Sequence, residues 1–253
     1  MHINVVGAGP DLVMLHGWSM HSGVWHKLAE GLAERFTLHL VDFPGHGQSD
    51  WQEGQFELPL LLSELEQKLP DNAVWLGWSL GGLICLAMQQ RYPEKVRKLS
   101  LMATTPKFVG CETWPCAMAP SVFESFASNL HVDQQQTLQR FLMLQAKGAV
   151  QSRETIRELS EQLATQHAPQ PEALRQGLAL LLQTDMRDAL SQATCPLQLI
   201  LGERDTLVPA SMPDYAKKLN PALDVTMIDG VGHAPFIAQP QRCQELIELF
   251  IDG

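Results

Sequence analysis

The chain has 253 residues, 45% of them hydrophobic and 18% charged, a balance that suits one sizeable core and leaves no long polar tract for a disordered arm. Its formal net charge of -10 argues against nucleic acid as a partner, because phosphate backbones are bound by clustered Lys and Arg. The first residues, Met1-His2-Ile3-Asn4-Val5-Val6-Gly7, lack the basic stretch and apolar run of a signal peptide, and no apolar segment reaches the roughly 20 residues that span a bilayer, so a cytoplasmic protein with no membrane partner is expected.

Six short apolar runs read as strands: residues 12–15, 38–41, 73–76, 98–102, 197–201 and 225–228. Helix-length stretches lie between them, such as 80–92, and the last segment repeats Cys243, Leu246, Ile247 and Phe250 at i, i+3, i+4 and i+7. This alternation predicts an α/β fold, a mostly parallel sheet covered by helices on both faces. Residues 104–190 break the rhythm. They hold no convincing strand but four helical patterns, around Val122 to Leu130, Leu138 to Gln145, Ile156 to Leu163 and Leu174 to Leu182, with Pro171 placed for a first helical turn. Such an insertion is expected to form a helical cap on an α/β core made of 1–103 and 191–253.

Five cysteines, at 85, 111, 116, 195 and 243, include no C-x-x-C pair, which points to neither a disulfide framework nor a zinc site. No metal and no cofactor are expected, and most of these thiols read as small buried hydrophobes.

The chemistry is concentrated in Gly77-Trp78-Ser79-Leu80-Gly81-Gly82. A G-x-S-x-G between a strand and a helix forms a nucleophile elbow, a strained turn that lifts the serine hydroxyl above the sheet. That hydroxyl is a weak nucleophile until a base takes its proton, so a histidine and a carboxylate are required downstream, in the order acid then histidine. Asp205 follows the strand at 197–201, with Glu203 a rival acid beside it; His233, in Gly232-His233-Ala234-Pro235-Phe236, is the only one of nine histidines after the last strand run. Ser79, Asp205 and His233 are thus the candidate catalytic residues. The oxyanion hole is assigned to the backbone N–H groups of Leu80 and of Trp18, in the loop His16-Gly17-Trp18; His16 is read as a brace for that loop.

Together, Leu15-His16-Gly17-Trp18, the stretch Asp42-Phe43-Pro44-Gly45-His46-Gly47-Gln48-Ser49, the elbow, Asp205 with Leu207-Val208-Pro209, and His233-Ala234-Pro235-Phe236 resemble the capped α/β-hydrolases over essentially the whole chain. The two tryptophans flanking Gly17 and Ser79, the His-Ala-Pro-Phe end and Arg140-Phe141-Leu142-Met143-Leu144-Gln145 resemble the pimeloyl-acyl-carrier-protein methyl ester esterases of biotin synthesis. That resemblance implies an enzyme that frees the methyl ester of a pimeloyl chain while sparing the thioester to its acyl carrier protein. It places substrate contacts at Trp18, Ser79, Leu80, Phe141, Leu142, Met143, Leu144, Gln145 and His233, and carrier docking at Arg140, Arg153 and Arg157; Gln136 stands where the family has a further arginine. Independently, residues 131–157 carry four basic side chains against two acidic ones, a local charge of +2 in a chain of -10, which suits an acidic partner. A monomer is expected. Competing readings are a general short-chain carboxylesterase or carbon-carbon bond hydrolase of the same fold, and a non-catalytic binding module.

Overall fold

The computed structural model describes residues 1–253. Seven strands form one sheet in the order β1-β3-β2-β4-β5-β6-β7. They are β1 (His2–Gly7), β2 (Asp11–Leu15), β3 (Thr37–Asp42), β4 (Ala73–Trp78), β5 (Val96–Met102), β6 (Leu197–Gly202) and β7 (Asp224–Ile228). All neighbours are parallel except β1, which pairs antiparallel with β3 from His2↔Asp42 to Gly7↔Thr37. Six strands coincide with the apolar runs; β1 is the addition, an edge strand whose residues are half-buried or exposed and so form no continuous apolar run.

The strand period of two sorts the core into two layers. Leu12, Met14, Val74, Leu76 and Ile200 face one way, packed with α1 (His26–Leu32), the short α10 (Pro235–Ala238) and α11 (Pro240–Asp252), the last of which buries Cys243, Ile247 and Ile251. Val13, Leu15, Trp75, Leu99 and Leu201 face the other way, toward α2 (Leu58–Lys68), α3 (Leu80–Arg91) and α9 (Met212–Leu219). Each aliphatic side chain fully buried in these layers contributes about 1.5–3 kcal/mol relative to exposure. Of the cysteines, 85, 116 and 243 are buried within these clusters, whereas Cys111 is exposed and Cys195 half-buried.

Between β5 and β6 the chain forms α4 (Pro120–Val132), α5 (Gln134–Gln145), α6 (Ser152–Ala164), α7 (Pro171–Gln183) and α8 (Arg187–Ser191) and adds no strand to the sheet. Pro171 opens α7, where its missing N–H costs no hydrogen bond. These helices are fastened over the loops at the C-terminal ends of the strands. His21 Nε2 meets the Gln162 carbonyl at 2.8 Å, Gln170 N–H donates to the Gly45 carbonyl at 2.9 Å, and Val150 N–H to the Gly230 carbonyl at 2.9 Å. The last helix, α8, packs on α3 and α9 and receives Asn220 Nδ2 on the Leu190 carbonyl at 3.0 Å. The chain has therefore rejoined the helical layer of the sheet a few residues before 190. No helix is long and apolar enough to cross a membrane.

Candidate active site

Ser79 sits between β4 and α3 with φ 55° and ψ -117°, a conformation an L-residue holds only when its surroundings enforce it. Its N–H donates to the Met102 carbonyl at 2.9 Å, and its carbonyl accepts from Gly82 N–H at 3.0 Å and from Thr104 Oγ1 at 2.7 Å. The flanking glycines are dictated by space. A Cβ on Gly77 would lie 2.5 Å from the Gly81 and Gly82 backbone, and one on Gly81 would collide with the Leu15 carbonyl.

The loop after β7 brings His233 to this serine, with Nε2 2.8 Å from Ser79 Oγ. Its other nitrogen, Nδ1, lies 2.7 Å from Asp205 Oδ2, in the loop after β6. A carboxylate only accepts hydrogen bonds, so Nδ1 carries the imidazole proton and Nε2 presents its lone pair to the serine hydroxyl. Asp205 is itself oriented, since Oδ1 accepts from Leu207 N–H at 2.8 Å and Val208 N–H at 3.0 Å. The rival Glu203 turns outward, accepting from Gly230 N–H and pairing with Arg204. His233 and Ser79 are 0% and 3% exposed, so the relay is shielded from water, which strengthens its electrostatics.

Leu80 opens α3, where no carbonyl four residues earlier in the helix is available to its N–H. The loop carrying Trp18 follows β2, which lies beside β4 with Leu15 opposite Gly77, and so approaches the same place. The Trp18 side chain itself reaches into the helical insertion, where its indole N–H donates to the Leu174 carbonyl of α7 at 2.9 Å and its ring meets Phe141 of α5 edge-on at 4.8 Å. His16 behaves as a brace. Its Nε2 accepts from Phe43 N–H at 3.1 Å, which leaves Nδ1 to donate to the Gly17 carbonyl at 2.8 Å. Burial, reinforced by nearby His46, depresses its pKa to about 3, so this imidazole stays neutral; burial likewise lowers His46 to about 4.

The stretch 141–145 does not act as a block. Phe141, Leu142 and Gln145 are buried, whereas Met143 is 52% exposed and Leu144 only half-buried, its carbonyl accepting from Thr206 Oγ1 at 3.2 Å. Successive helical residues turn by about 100°, so five in a row cannot share one wall. Met143 therefore lies on the outer surface of α5. There it borders a cleft of about 320 Å³ with Arg140, Lys147 and Ile156. The Gln145 amide is buried with neither polar atom hydrogen-bonded, while its backbone carbonyl accepts from His233 N–H at 2.7 Å. That backbone tie between α5 and the histidine loop was not anticipated from sequence, where no side-chain pattern reports it.

Arg140 and Arg153 lie on the outside of α5 and α6 without an ionic partner, and Arg157 reaches Glu161 at 3.8 Å rather than Glu154. The larger clefts also open on this outer side. One of about 330 Å³ between α4 and α5 is lined by Ser125, Phe126, Asn129 and Arg140, and one of about 560 Å³ lies between α5 and α6.

An elbow serine, a carboxylate and a histidine on the C-terminal loops of β4, β6 and β7 define a hydrolase, and the chain belongs to the α/β hydrolase fold family, whose pattern matches residues 10–240. Within it, the chain is 44% identical over 251 residues to the pimeloyl-[acyl-carrier protein] methyl ester esterase of Xanthomonas oryzae pv. oryzae, covering 99% of this chain and 98% of that one. The protein of the same name from Stenotrophomonas maltophilia (strain K279a) is 43% identical over 99% of this chain and 96% of its own length. Among solved structures, an esterase from Exiguobacterium antarcticum superposes with a TM-score of 0.88 at 20% identity, covering 100% of this chain and 95% of that one. A bromoperoxidase from Bacillus anthracis superposes with a TM-score of 0.89 at 21% identity, covering 99% and 95%. At that identity the two structures speak for the fold alone. The chain is a carboxylic ester hydrolase of the esterase family.

Proposed function

We propose that the protein hydrolyses the methyl ester of pimeloyl-[acyl-carrier protein] methyl ester, releasing methanol and free pimeloyl-carrier protein for biotin synthesis in the cytoplasm. The observation that carries the reaction type is the series Ser79 Oγ to His233 Nε2 at 2.8 Å and His233 Nδ1 to Asp205 Oδ2 at 2.7 Å. The substrate class rests on full-length likeness to esterases of that name.

In this reading His233 takes the Ser79 proton as Oγ attacks the methyl ester carbonyl, and Asp205 stabilises the imidazolium that forms. The tetrahedral oxyanion is received by the N–H groups of Leu80 and Trp18. Collapse transfers the proton from His233 to the departing methoxide, leaving the acyl group on Ser79. Water, deprotonated by the same imidazole, then releases the acid. The helices α4 to α7 act as a cap, with Phe141, Leu142 and Gln145 facing the acyl chain. An acidic carrier docks on the outer face through Arg140, Arg153 and Arg157, whose two unpaired members leave charge free for a partner.

Growth of cells lacking the biotin-pathway esterase, on medium without biotin, tests the proposal. Rescue by the wild-type chain and none by Ser79→Ala is the expected result; failure of a well-expressed wild-type chain to rescue overturns the substrate assignment.

A further inference from the structure

We infer that Trp78, the residue before the nucleophile, is a positioning residue that holds the histidine loop and the oxyanion loop in register with Ser79, an inference resting on the Ser79-His233-Asp205 part of the proposed function. Trp78 ends β4 and is 1% exposed. Its indole N–H donates to the backbone carbonyl of His233 at 2.7 Å, a bond spanning 155 residues of sequence. The ring also lies against the His233 imidazole, with centroids 5.9 Å apart, and against Phe236 at 5.0 Å. On another side it contacts the loop before Trp18: a Cβ on Gly17 would sit 2.9 Å from the Trp78 ring, so the absence of a side chain there admits the indole.

One rigid side chain, covalently next to the nucleophile, thus touches both of the other loops that must converge on the ester. The His233 peptide is gripped on its two sides, its N–H by the Gln145 carbonyl at 2.7 Å and its C=O by Trp78. Without the indole N–H the carbonyl of a fully buried residue loses its donor, and the imidazole pivots on the remaining contacts. A misplacement of about 1 Å in such an assembly lowers the chemical step by roughly 100-fold with little effect on binding.

The same cluster supplies the control. Trp25 meets Trp78 edge-on with centroids 6.4 Å apart and packs tilted against Phe236 at 4.5 Å, yet its buried indole N–H has no hydrogen-bond partner. Trp78→Phe and Trp25→Phe remove the same atoms from the same aromatic packing, but only the first removes a bond to His233.

With p-nitrophenyl butyrate as substrate, Trp78→Phe is expected to lower kcat by about 10- to 100-fold with KM within about twofold, and Trp25→Phe to leave kcat within about threefold. The far-downfield proton resonance of the His233-Asp205 hydrogen bond should shift or broaden in Trp78→Phe alone. Equal kcat losses in the two variants, or a loss that follows their melting temperatures, overturns the inference. If Trp78→Phe is insoluble, benzothienylalanine at position 78 keeps both rings and deletes only the N–H, with the same expectations. Ser79→Ala assayed in parallel separates the two levels. Activity in Ser79→Ala defeats the triad itself, whereas an inactive Ser79→Ala beside indistinguishable Trp78→Phe and Trp25→Phe defeats only the positioning role.

Discussion

Replacing Asp205 by asparagine separates the two roles of one carboxylate. Oδ1 holds the loop by accepting from Leu207 and Val208 N–H, and Oδ2 holds His233 Nδ1–H. An asparagine oxygen can keep the first pair, which directs its NH2 toward Nδ1. Donor would then face donor unless the imidazole switches tautomer, and the switched form points Nε2–H at Ser79 Oγ, where it cannot take a proton. The expected loss in kcat is about 10⁴-fold, equivalent to roughly 5.4 kcal/mol in the barrier. Stability should fall by no more than about 1 kcal/mol, because both loop donors stay satisfied. Asp205→Ala strands those two buried N–H groups and should cost roughly 2–6 kcal/mol in addition to abolishing turnover. Steady-state hydrolysis of a small ester measures the first effect and urea unfolding the second. An Asn variant within tenfold of wild type, or one as unstable as the Ala variant, would refute this division of labour.

Reversing charge with Arg153→Glu and Arg157→Glu should reduce kcat/KM for carrier-bound ester by at least about tenfold more than for a small soluble ester, and raised salt should blunt wild-type turnover of the carrier-bound form; equal losses on both substrates would remove the docking role. Acid should destabilise the fold through His16 and His46. Their folded pKa values of about 3 and about 4 lie below the unfolded 6.5, so the unfolded chain binds more protons and stability declines as pH falls from about 6.5 toward 4. Between pH 7 and 5 each imidazole should account for about 2 kcal/mol, read from urea midpoints, and His46→Gln should lessen the decline relative to wild type; an unaltered slope would contradict the assignment. Gly81→Ala should destabilise by about 3 kcal/mol or leave the chain insoluble, since its Cβ would meet the Leu15 carbonyl, and a melting temperature unchanged from wild type would show that the elbow has room.

The parts that were legible before any coordinates were those ruled by near neighbours. Trp75 and Leu76 are buried on both sides of a parallel sheet, and such strands show as apolar runs; Gly77, Ser79 and Gly81 report a turn whose crowding is local. The edge strand β1 escaped notice because one exposed side removes the pressure for apolar residues. Phe141 and Gln145 lie on the buried side of α5, but Met143, two residues from each, does not, a distinction that requires knowing which side of the helix meets the core.

The sequence by itself determined the order of the strands from β2 onward, the helices between them and the candidate nucleophile and histidine, because periodicity, turn glycines and chain order are properties of residues close together in the chain. It named Asp205 as the candidate acid with Glu203 as a rival beside it. Only the tertiary structure decided that Asp205 faces His233 while Glu203 turns to Gly230 and Arg204, that α7 holds the Trp18 indole, and that Trp78 grips the histidine loop. The physical reason is separation. Contacts that span 28, 154 and 155 residues depend on sheet register and on which way each loop leaves its strand, and a hydrogen bond is made or lost within a few tenths of an ångström of that register.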